Sequence, residues 1–82
     1  MNIYTYQFKL KCPVNDLVIK YNLKIKSLEI IRIEDIVSFL AEYEKGFHED
    51  VANKLFDQFA GYQIMKAFHH GVHIETRRGV SI

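Results

Sequence analysis

One cysteine in 82 residues rules out an internal disulfide. No amino-terminal apolar run resembles a signal peptide, and none is long enough to span a bilayer, so the expected setting is cytoplasmic with no membrane partner. Ser/Gly-rich linkers, charge blocks and repeats at solenoid spacing are also missing, which leaves the organisation to be read from periodicity. Charge of neither sign is in excess, with 11 Lys and Arg against 10 Asp and Glu and a formal net charge of +1. A general nucleic-acid or membrane-surface binder would carry more, so any polyanion contact is expected to be local.

Core formers are plentiful. At 49% hydrophobic and 13% aromatic, the chain reads as one folding domain over residues 1–82 rather than a disordered segment. A domain this small buries a modest fraction of its surface, so a homo-oligomer is the expectation.

Tyr4, Tyr6, Phe8 and Leu10 alternate with Thr5, Gln7, Lys9 and Lys11, the period of a half-buried strand. Pro13, Asn15 and Asp16 supply turn chemistry, and Leu17, Ile19, Tyr21, Leu23 and Ile25 then alternate with lysines and Asn22, completing a hairpin. The β-branched stretch from Leu28 to Ile33 reads as a strand extension or a short further strand. Ile36, Phe39, Leu40 and Tyr43 then follow helical spacing up to a stop at Lys45 and Gly46. A second helix starts near His48, with Val51, Ala52, Leu55, Phe56 and Phe59 on one side and Gly61 past its end. Tyr62 to Phe68, a turn at His69 to Gly71, and Val72, Ile74 and Thr76 in alternation make a closing hairpin. The order hairpin, helix pair, hairpin predicts an α+β two-layer sandwich: a four-stranded antiparallel sheet with both helices on one face.

The segment Gly46-Phe47-His48-Glu49-Asp50 puts an aromatic ring, an imidazole and carboxylates at the mouth of the second helix. A carboxylate there can accept hydrogen bonds from the amidine-like edge of a flat heterocycle while an aromatic ring covers its face. The plainer alternative is an acid that only caps the helix.

Three segments in order, Cys12-Pro13-Val14, Gly46 to Asp50, and His70-Gly71 followed by TRRGVSI from Thr76 to Ile82, resemble the tunnelling-fold enzymes, most closely the 7-cyano-7-deazaguanine reductases (QueF-type nitrile reductases). The resemblance implies that Cys12 adds to a nitrile carbon to give a thioimide and that Glu49, with Phe47 and His48 beside it, binds the ring. Asp16 is the candidate general acid. The implied partner is a purine- or pterin-like small molecule held in a ring of subunits with interfacial sites. Reduction with NADPH competes with amine transfer of the kind performed by QueF-like amidinotransferases, which would make tRNA a partner. The NADPH-marking Glu-Ser-Lys-Ser segment of the reductases has only an echo in Lys26, Ser27, Leu28 and Glu29. A segment resembling TGQPDF is missing after Val14, and the chain stops where the family usually continues, so the remaining pocket is expected to be either incomplete or supplied by a neighbour.

Blander readings stand beside these. Cys12 is in phase with the apolar face of the first strand, where a cysteine is usually an inert small hydrophobe. His69, His70 and His73 with Cys12 invite a zinc reading of the kind found in tunnelling-fold GTP cyclohydrolases, with His69 and His73 sharing a strand face, but no CxxC or HExxH spacing supports it, and no metal ligand is assigned. Arg77 and Arg78 could hold a phosphate or a carboxylate, and Glu75 and Arg77 could pair. Lys9, Lys11, Lys20, Lys24 and Lys26 fall on the polar side of the first hairpin, a solvated surface or a channel lining. A non-catalytic module that binds a heterocycle or only assembles into rings is the second class of function, and an RNA-binding sheet the third.

Overall fold

The computed structural model describes Met1–Ile82. Four antiparallel strands, β1 (Asn2–Lys11), β2 (Val18–Ser27), β3 (Tyr62–His69) and β4 (Val72–Arg78), lie in the order β1-β2-β3-β4. Two helices, α1 (Ile33–Ala41) and α2 (His48–Phe59), fill the connection between β2 and β3. The result is the α+β sandwich expected from periodicity. No helix is long and apolar enough to cross a membrane.

The register explains the layering. Leu10 pairs with Ile19, Tyr4 with Ile25, Leu23 with Met65 and Tyr21 with Ala67, so one apolar row crosses three strands on one face. Ile36 and Leu40 of α1 and Val51, Ala52 and Leu55 of α2 close over that row, and Leu23, Ile25 and Leu55 are almost wholly excluded from solvent. Burying such side chains contributes roughly 1.5–3 kcal/mol each, which outweighs the modest intrinsic preferences of the strands. The other face of the sheet has no covering layer.

The stretch after Ser27 departs from expectation, because β2 ends there and residues 28–32 form a loop rather than more strand. Glu29 N–H donates to Ser27 Oγ at 3.0 Å, and Ile31 N–H donates to the Tyr4 hydroxyl at 3.0 Å. Side-chain oxygens take the donors that a ladder would have used, and Leu28 and Ile30 are left exposed. At the other end of the helix pair, buried Gln63 donates from Nε2 to the carbonyls of Leu55 (3.0 Å) and Ala60 (2.8 Å), tying the end of α2 to the start of β3.

The β3–β4 hairpin closes through His70 and Gly71, with φ of 51° and 79°. Two consecutive positive values describe the tight hairpin turn whose twist matches the strands. Here histidine takes the position that asparagine usually holds.

Candidate functional site

A cleft of about 470 Å³ opens where the β1–β2 turn, the start of α2 and the β3–β4 hairpin meet. Backbone bonds set that meeting. Cys12 closes the first hairpin, its N–H donating to Leu17 O and its carbonyl accepting from Asp16 N–H, both at 2.9 Å. One residue earlier, Lys11 N–H donates to Glu44 O at 2.9 Å and Lys11 O accepts from Gly46 N–H at 3.3 Å, which stitches the α1–α2 connection to the end of β1. A Cβ on Gly46 would lie 2.7 Å from Val51 Cγ2, so glycine lets the connection run this close over the first turn of α2. Residues 47–49 thereby stand beside Cys12, more than 30 positions away in sequence.

Cys12, Phe47, His48 and Glu49 all line the cleft, together with Tyr21, Asn15, His69 and His70. Cys12 is buried, Phe47 is about half exposed at the mouth, and the walls are mainly apolar. Such a setting, apolar with a few convergent polar groups, is the usual form of a small-molecule pocket. Asp16 is not among them. It lies outside the cleft at a φ of 59°, with its carboxylate 2.7 Å from Lys45 Nζ. The hydrogen bond and the charge of Lys45 hold the Asp16 carboxyl below its usual value and push Lys45 up.

Glu49 does more than cap a helix. No side chain caps α2, and Glu49 Oε2 instead accepts from Arg78 Nη2 at 2.6 Å, while Arg78 Nε donates to Asn53 Oδ1 at 3.0 Å. Arg78 stands at the end of β4 and is largely covered, so it fixes the carboxylate by one oxygen and leaves Oε1 free. Sequence reading allowed Arg78 a carboxylate partner without naming which. Arg77 takes the other option, pairing with Glu75 on the opposite face through Nε at 2.7 Å, which lowers the Glu75 carboxyl and raises the guanidinium.

His48 packs against Tyr21, ring centroids 5.5 Å apart, and neither ring nitrogen has a hydrogen-bond partner. Burial holds its pKa below the ordinary 6.5; Glu49 pulls the other way, Arg78 adds to the lowering, and the Met65 backbone approaches without reaching hydrogen-bonding geometry. Tyr21 is pushed up, first by burial and then by its proximity to Cys12. Both nitrogens are buried as well as unpartnered, so the neutral imidazole can relay a proton to a cleft ligand only if its ring turns toward the cleft. The shift also predicts a stability profile. Below pH 6.5 the unfolded imidazole binds a proton that the folded one refuses until lower pH, so stability is complete above that value and falls on acidification. Thermal melts between about pH 7 and pH 5 should show a declining midpoint, with a shallower decline in His48→Leu.

The shared strand face of His69 and His73 that a zinc reading would use does not form. His69 pairs with Val72 and His73 with Phe68, which places His69 and His73 on opposite faces of the sheet, the reverse of the expected shared face. No three His, Cys, Asp or Glu side chains converge as a metal set. His70 Nε2 lies 3.0 Å from Asn15 Nδ2, joining the two hairpins across the cleft. No protein-family model, curated protein or solved structure matches the chain.

Proposed function

We propose that the cleft binds a flat, nitrogen-rich heterocycle of the 7-cyano-7-deazaguanine class, or a related purine or pterin, and that Cys12 captures the nitrile form as a thioimide. The observation that carries this reading is the convergence of Cys12, Phe47, His48 and Glu49 on one pocket. Glu49 accepts from the polar edge of the ring, and Phe47 covers its face. The Cys12 sulfur forms a bond to the nitrile carbon as the C≡N bond becomes C=N–H, and the thiol proton ends on that nitrogen with neutral His48 as its carrier. The addition needs no oxidant or reductant. The three segments that resemble nitrile reductases in sequence contribute Cys12, Phe47, His48, Glu49 and Arg78 to this reading.

The echo of the cofactor segment supplies no NADPH contact beside the nitrile within one chain. Lys26 to Glu29, the echo of the cofactor segment, lies at the far end of β2 from Cys12, where Ser27 pairs with Asn2 and its Oγ is occupied by Glu29. Transfer of an amine to the thioimide is therefore the favoured continuation. The cleft's apolar rim, with Val14 and Phe47 exposed, suits coverage by a second copy in a homo-oligomer.

Intact-protein mass spectrometry after incubation with 7-cyano-7-deazaguanine, without reductant, tests the proposal. An adduct mapped to Cys12 and missing from Cys12→Ala is expected; no adduct on folded protein overturns covalent capture. The position of Asp16, tied to Lys45 outside the cleft, favours a second reading in which the module binds the heterocycle without turning it over. In that case Cys12→Ala retains full affinity and the wild type forms no adduct.

A further inference from the structure

Net charge conceals a strong segregation. The open face of the sheet carries Lys9 and Lys11 from β1, Lys20, Lys24 and Lys26 from β2, Lys66 from β3 and Arg77 from β4, with Glu75 as its one carboxylate. The rest of the molecule holds four cations and nine carboxylates. A chain of formal charge +1 thus presents a face with six positive charges in excess. Lys11 is engaged by Glu44, and Lys66 and Arg77 share Glu75, but Lys9, Lys20, Lys24 and Lys26 have no carboxylate partner. Lys9 and Lys20 even face each other directly across β1 and β2. Like charges in that register are destabilising, and nothing inside the chain compensates them.

Aromatic surface accompanies the charge. Phe68 is 56% exposed on this face, and the ring of its cross-strand partner His73 stands 4.6 Å from its own. Phe68 lies on the charged side at the same end of the sheet as Lys20, because the phase of β3 is set by buried Met65 and Ala67 on the other face. An uncovered sheet face that combines lysines lacking carboxylate partners with an exposed ring offers phosphate contacts and a stacking platform together.

We propose that the open face binds single-stranded nucleic acid, with Lys9, Lys20, Lys24 and Lys26 on the phosphates and the Phe68–His73 pair stacked on a base. This surface is opposite the helix layer and does not depend on the heterocycle reading. The acidic helices face away from it and keep the strand on one side.

Fluorescence anisotropy with a labelled oligouridylate of about twelve nucleotides is the test. Expected is micromolar binding that weakens about 20–50-fold between about 50 and 200 mM salt, as for three to four released counterions. Changing Lys9, Lys20 and Lys24 together to Gln should reduce the log–log salt slope by about 2. Phe68→Ala, an exposed position whose loss leaves the core intact, should weaken binding about 5- to 150-fold. Absence of binding at low salt, equal affinity for a duplex of the same length, or an unchanged Phe68→Ala would overturn the proposal. So would light scattering that shows this face buried between copies and released by the triple lysine variant.

Discussion

Gly79→Ala is expected to cost about 2–4 kcal/mol, a large share of the stability available to 82 residues at roughly 0.05–0.15 kcal/mol each. Gly79 ends β4 at a φ of 90°, where an L side chain is strained by about 1 kcal/mol. A Cβ there would also overlap the Gly61 carbonyl oxygen and sit 3.1 Å from Phe56 Cε1. The backbone at Gly61 has little room to give way, because even a Cβ built on it would lie 2.6 Å from the Lys26 carbonyl oxygen. Overpacking of this kind adds roughly 1–3 kcal/mol. Gly71→Ala separates the two causes, since its φ is 79° but nothing lies within 4 Å of the new Cβ. That variant should lose only about 1 kcal/mol. Urea midpoints at equal m-value measure both, and similar losses for the two would show that the crowding at Gly79 is relieved by local movement. Because Gly79 follows Arg78, Gly79→Ala should also weaken the hold on Glu49.

Why some of this was legible in the sequence and some was not follows from the range of each interaction. The strands announced themselves because one buried face forces period two, which Tyr4 to Leu10 and Ile19 to Ile25 keep without a break. Leu17, read as part of the second strand, lies just before β2 and is exposed. The helices did so through Ile36 and Leu40 and through Val51, Ala52 and Leu55, all in spacing and all buried. The loop after Ser27 was hidden, since the hydroxyl that holds Ile31 belongs to Tyr4, 27 residues back, and composition alone favours strand there. Only the resemblance put Cys12 and the segment from Phe47 to Glu49 in one site; the Lys11–Gly46 bridge that joins them involves only backbone atoms, to which side-chain patterns are blind. Asp16 was drawn toward the chemistry by proximity to Cys12 in sequence, but its positive φ turns it to Lys45 instead. Charge segregation was half visible on β1 and β2. Its completion by Lys66 and Arg77 required the β2–β3 and β3–β4 registers.

The largest expected effect on the site itself is that of Glu49→Gln on heterocycle affinity. In the proposed reading, the carboxylate anchored by Arg78 through Oε2 would offer Oε1 and its remaining lone pairs to two ring donors, and charge-assisted hydrogen bonds of this kind contribute about 1.5–3 kcal/mol each. The amide keeps the shape, but its NH₂ faces a donor and its oxygen accepts weakly, so isothermal titration should show affinity for a guanine-like ligand reduced by about 100-fold or more. Folding should barely change, because Glu49 is 69% exposed and a pair of that exposure contributes at most about 1 kcal/mol after solvent screening. Arg78→Gln is the informative companion. Arg78 acts on the ligand only through the carboxylate, so its loss should weaken binding by roughly 10-fold and leave Glu49→Gln no worse when the two are combined. Full additivity in that double-mutant cycle would mean that Arg78 touches the ligand directly, and an unaltered affinity in Glu49→Gln would remove Glu49 from the site.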